Sequence, residues 1–138
     1  MAEPPEGRGV IDTSVVIGYE SVDASRLPLE VSISTLTLAE LSAGPLATSD
    51  ELERARRQER LQRFESGIET LVFDAACARA YAHIYAASVA SGRKPRGARA
   101  VDLMIAATAL AYDLPLFTLN AKDFRGLELL IKVVDVSR

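Results

Sequence analysis

Four acidic residues stand in otherwise uncharged stretches of the chain. Asp12 is the sole charge between Gly9 and Tyr19, Glu40 between Val31 and Ser49, and Asp102 between Ala100 and Tyr112. Asp123 comes just after the uncharged run from Leu114 to Ala121. A buried carboxylate is costly unless it is paired, protonated or bound to a metal. Several carboxylates within about 5 Å of one another repel by a few kcal/mol per pair, even at an effective dielectric of about 20. If these four share one pocket, either some are protonated or a divalent cation sits among them. Oxygen-only ligands select Mg²⁺ or Mn²⁺ over zinc. Such an ion can activate water for in-line attack on a phosphodiester, and no histidine is then required.

Each acid also has a plain structural reading. Asp12 precedes Thr13 and Ser14 and can cap a helix. Glu40 can lie on a solvated helix face, Asp102 can face a helix dipole from the first turn, and Asp123 can belong to a turn. Other chemistries have little to work with. The single histidine, His83, lies in an alanine-rich stretch and reads as structural, so a Ser-His-Asp triad would rest on it alone. Cys77 is the only cysteine, which excludes an internal disulfide and a cysteine zinc site. An aspartyl nucleophile for phosphate transfer commonly wants a second acid two residues on, where this chain has Ser14.

The acids need an α/β frame to bring them together. Residues 9–11 read as a first strand, 13–19 as a short helix and 21–29 as a polar connection. Val31-Ser32-Ile33-Ser34 alternates as a strand does, and a helix from Thr35 or Thr37 carries Glu40 as far as Gly44-Pro45, with Glu40 one turn from Leu36 on the side that should meet the core. A charged helix follows Ser49-Asp50, with Leu52, Ala55, Leu61 and Phe64 as its apolar seam. Its arginines from Arg54 to Arg63, interleaved with Glu53 and Glu59, read as a solvated face. Residues 68–73 form the next strand, Asp74 caps an alanine-rich helix to about Ser91, and Arg93, Lys94 and Arg96 fill a basic loop. The helix over 99–112 is almost wholly apolar and therefore buried on most sides. A strand over 114–119, a helical turn over 121–125 and a last strand over 129–136 complete the chain. This alternation predicts an α/β fold, a mostly parallel central sheet of about four or five strands with helices on both faces.

At 138 residues and 49% hydrophobic composition, the chain reads as one domain, with residues 1–8 as a frayed tail. It shows neither a signal peptide nor an apolar run long enough to span a bilayer, so it is expected to be cytoplasmic. A net charge of −3 argues against sequence-blind nucleic-acid binding over the whole surface. The basic residues are segregated, however. Arg93, Lys94, Arg96 and Arg99 lead directly into the helix bearing Asp102 and are candidates to grip RNA phosphates, the alternative being a solvated loop.

Taken in order, Val10-Ile11-Asp12-Thr13-Ser14-Val15, Ile33-Ser34 through Leu38-Ala39-Glu40-Leu41, Val101-Asp102-Leu103-Met104-Ile105-Ala106-Ala107-Thr108-Ala109 and Thr118-Leu119-Asn120-Ala121-Lys122-Asp123-Phe124 resemble the PIN domain of VapC-type toxins. The resemblance spans Val10 to about Val134. It implies a PIN-like fold and a Mg²⁺- or Mn²⁺-dependent endoribonuclease, the toxin of a type II toxin–antitoxin pair. Asp12, Asp102 and Glu40 match the family's metal-binding acids. Many relatives carry Asp or Asn where Asn120 stands and a further Asp at the place of Asp123; Asn120 cannot supply a charge, which leaves Asp123 as the fourth acid, with Thr13, Ser14, Thr118 and Asn120 as supporting polar groups. The implied partners are a VapB-type antitoxin, a second copy of the chain, and single-stranded or looped transfer, ribosomal or messenger RNA, with no membrane. The alternative is a non-catalytic RNA- or partner-binding module on the same fold.

Overall fold

The computed structural model describes residues 7–138. Five strands, β1 (Arg8–Ile11), β2 (Glu30–Ser34), β3 (Glu69–Leu71), β4 (Leu116–Thr118) and β5 (Val133–Asp135), form one parallel sheet in the order β3-β2-β1-β4-β5. Five helices connect them: α1 (Thr13–Ile17), α2 (Thr35–Ala43), α3 (Glu51–Gly67), α4 (Ala75–Ala90) and α5 (Ala98–Ala111). The chain starts in the middle of the sheet, fills one side, then crosses over to fill the other. The switch falls between β1 and β4, and ligands gather at the strand ends there in open α/β sheets.

The alternation of side chains along the strands builds two cores. Val10 and Leu116 face one way, packing with Ile84 of α4 and Leu103 and Ile105 of α5. Ile11 and Phe117, their neighbours in the chain, face the other way and join Val15, Leu41 and Phe64. That is the period of two expected for strands buried on both faces. Gly9 permits the tightest approach within the sheet, since a Cβ there would lie 2.4 Å from the Phe117 ring.

The helix starts are set by side chains. Asp12, Ser34, Asp50 and Asp74 each accept a bond from a backbone N–H in the first turn of α1, α2, α3 and α4. α5 differs: Gly97, at φ +60°, gives it no side-chain cap.

Several sequence expectations are corrected. Residues 1–6 of the expected tail lie outside the described residues, but Arg8 belongs to β1 and pairs with Glu30 and Glu69 across the sheet. α1 stops at Ile17, and a 3₁₀ turn over Tyr19–Ser21 follows. The last strand is only Val133–Asp135; Leu129 is fully exposed, because residues 127–131 turn back on themselves through the Leu130 and Ile131 N–H bonds to the Leu127 carbonyl. On α3 the apolar seam is narrower than expected. Leu52 and Ala55 are exposed and Leu61 is half-buried, while Phe64 is buried with its ring edge-on to Tyr19.

Candidate active site

Asp12 is the residue after β1, at the switch point, and it is 96% buried, with relative exposure of 4%. Its Oδ1 accepts bonds from Ser14 Oγ at 2.6 Å and Val15 N at 3.2 Å, so it does cap α1. The Thr118 hydroxyl, from the end of β4, also bonds its carboxylate. Burial raises the pKa of Asp12, and these bonds pull it back down. Ser14 Oγ in turn accepts from Leu119 N at 3.1 Å, and Thr118 Oγ1 accepts from Asn120 N at 2.9 Å. Two expected supporting residues thus tie the ends of β1 and β4 around one carboxylate. Asn120 itself is exposed and caps nothing with its side chain.

Glu40 was expected against the core, one helical turn from Leu36; it is instead exposed at the mouth of the site. It is held there by Thr13, whose Oγ1 donates to Glu40 Oε1 at 2.6 Å and lies 3.0 Å from Oγ1 of the buried Thr37. Thr37 was not anticipated, because a threonine inside a helix gives no signal of its own. Glu40 and Thr13 open onto a groove of about 350 Å³ whose far wall carries Arg57 and Arg60. That part of α3 is therefore not simply a solvated face.

Asp102 lies beyond the first turn of α5, so the helix dipole does not account for it. It is half-buried, and its pKa is pushed up to about 6, first by burial and then by the charges of Asp12, Glu40 and Asp123. Asp123 sits half-buried in the 3₁₀ turn Ala121–Phe124 beyond β4. The charges of Asp12, Glu40 and Asp123 thus all act on Asp102. Among the described residues, no three of them stand close enough to enclose an ion directly. The donor set is all oxygen, and a divalent cation would relieve the strain recorded at Asp102; on those grounds the residues fit such an ion.

The basic loop divides in two. Lys94 and Arg96 are exposed, whereas Arg93 and Arg99 are half-buried. Arg99 stands in the first turn of α5, within the fields of Asp102, Asp123 and Arg93. His83 is exposed on α4, and Cys77 is buried with burial raising its pKa, so neither offers a nucleophile or base to the acids.

Residues 9–128 match the model of the PIN domain. The chain is 38% identical to Ribonuclease VapC5 of Mycobacterium tuberculosis over 123 residues, covering 87% of each. The chain belongs to the PIN-domain family, among its VapC ribonucleases. This PIN domain is also 32% identical to Ribonuclease VapC of Rickettsia bellii over 121 residues, covering 84% of the chain and 87% of that protein. Its fold is similar to a crystal structure of VapBC-5, a member of the VapBC family of toxin–antitoxin systems from Mycobacterium tuberculosis. The TM-score is 0.82 at 35% identity, over 96% of this chain and 99% of that one.

Proposed function

We propose that this PIN domain is a Mg²⁺- or Mn²⁺-dependent endoribonuclease, the toxin of a toxin–antitoxin pair, restrained by a VapB-type antitoxin. One observation carries the reading: the Asp102 carboxyl is raised to about 6 by burial and by three other acids drawn from separate parts of the chain. Asp12, Glu40, Asp102 and Asp123 would hold the ion. When bound, it supplies a Lewis acid for a phosphoryl oxygen and lowers the pKa of attacking water. The protein's own task is to keep four oxygen donors aimed at one space. Ser14 and Thr118 fix Asp12, and Thr13 fixes Glu40. Asn120 has no charge to add at the rim.

Single-stranded or looped RNA is the substrate class, since splayed strands can reach a site at a strand end. The antitoxin has a place to dock. Ile17, Leu46 and Leu52 are 57%, 86% and 61% exposed on elements flanking the groove beside Glu40, and a partner segment laid there would bury them and close the acids off.

The test is cleavage of mixed RNA by the full chain with Mg²⁺ or with a chelator. Defined fragments with Mg²⁺ only are expected, with Asp12→Ala and Asp102→Ala each cutting at least about a hundredfold more slowly while folded. Undiminished metal-dependent cutting by either variant would overturn the assignment.

A further inference from the structure

Among the described residues, three side-chain polar atoms are buried with no hydrogen-bond partner: Arg93 Nη1, Arg99 Nε and Arg99 Nη2. All three belong to two guanidinium groups: Arg99, three residues before Asp102 on α5, and Arg93, whose charge acts on Arg99. Among the described residues neither arginine forms an ion pair, although Asp102 and Asp123 act on Arg99. Arg99 also sits in the first turn of an uncapped helix, where a cation opposes the dipole. Buried donors without acceptors are rare and costly, and like charges side by side add to the cost. The backbone holds the arrangement in place: Arg93 N donates to the Ser88 carbonyl at 3.1 Å, and Arg99 N to the Arg96 carbonyl at 3.2 Å.

Resting on the nuclease reading, we infer that Arg93 and Arg99 form a phosphate clamp. It grips the RNA backbone beside the phosphodiester held at the acids. A guanidinium pair with free N–H groups matches phosphate oxygens in fork geometry. A polyanion approaching four carboxylates needs fixed positive charge nearby, and these arginines supply it without a direct ion pair to any acid among the described residues. Lys94 and Arg96, exposed in the same loop, lend only general attraction.

The probe is a short fluorescein-labelled single-stranded RNA, its binding followed by anisotropy over a range of salt with Ca²⁺ replacing Mg²⁺. Arg93→Gln and Arg99→Gln are each expected to weaken binding about tenfold or more and to flatten the salt slope by about 0.7 for the phosphate lost. Arg79→Gln, on α4, is the control and should match the parent. Arg99→Lys keeps the charge but not the fork, and should recover the salt slope without recovering full affinity. Melting temperatures at or above the parent's are expected for the glutamine variants, since each removes buried N–H groups that lack a partner. Salt slopes unchanged in both glutamine variants would overturn the clamp. So would intact RNA binding with lost affinity for the antitoxin, which would assign the arginines to a protein carboxylate. If the parent cuts RNA with Mg²⁺ while the slopes stay unchanged, only the clamp fails; if it neither binds nor cuts, the nuclease reading fails with it.

Discussion

In the proposed nuclease Asp102 is needed as a charge, and burial and its acidic neighbours penalise it for being one. With its carboxyl raised to about 6, the folded, metal-free protein binds more protons at this residue than the unfolded chain does between about pH 4 and pH 6. Stability from this group is therefore present at about pH 4 and declines as pH rises through 6. Asp23, Glu69, Asp74 and Asp135 have lowered pKa values, so their contribution is instead lost as pH falls below about 4. Asp102→Asn should accordingly stabilise the metal-free protein at about pH 7, by on the order of 1–2 kcal/mol once partial solvation is allowed for. It should also abolish cleavage, the trade expected of a strained site. Thermal melts of both proteins with chelator check this, and a variant less stable than the parent would contradict it. At Asp12 the sign runs through hydrogen bonds. Ser14→Ala removes a bond that lowers its pKa and also orphans Leu119 N, so stability should fall by about 1–2 kcal/mol. The acid limb of the pH–rate profile should then move to higher pH, which a rate measurement across pH will show.

The elements explain why residues so far apart in sequence share a space. β1 and β4 are neighbours, and the bonds of Ser14 and Thr118 join the ends of the two strands. α5 is held to the sheet by Ser34 and Thr108, whose hydroxyls lie 3.2 Å apart, which fixes the helix that carries Asp102. Gly9→Ala should push the Phe117 ring out of its place, costing about 1–3 kcal/mol and loosening the β1–β4 junction; denaturant unfolding measures it. Most of these elements were readable in the sequence, because alternating strands and capped helices leave local marks: Asp50 and Asp74 announced α3 and α4 as they stand. What was not readable depended on tertiary packing. The outward turn of Glu40 follows from Thr13, on another helix. The late start of the strand expected over residues 129–136 follows from backbone bonds within residues 127–131. The partial burial of Arg99 is a matter of tertiary packing, and no local pattern reports it.

For the whole molecule, the net charge of −3 argues against RNA binding over the surface at large, so the proposed hold on RNA rests on a few placed cations and an ion. The sequence suggested as much in its segregated charges, but not which arginines would be buried. A cation bound only by the folded state must stabilise it, by about 2.7 kcal/mol at a hundred times its dissociation constant. The most direct test is calorimetric titration of the metal-free protein with Mn²⁺ at about pH 6, beside Asp102→Asn. The account predicts Mn²⁺ uptake by the parent with release of a fraction of a proton, as the raised carboxyl ionises, and both lost in the variant. No uptake by the parent, or equal uptake by the variant, would contradict it.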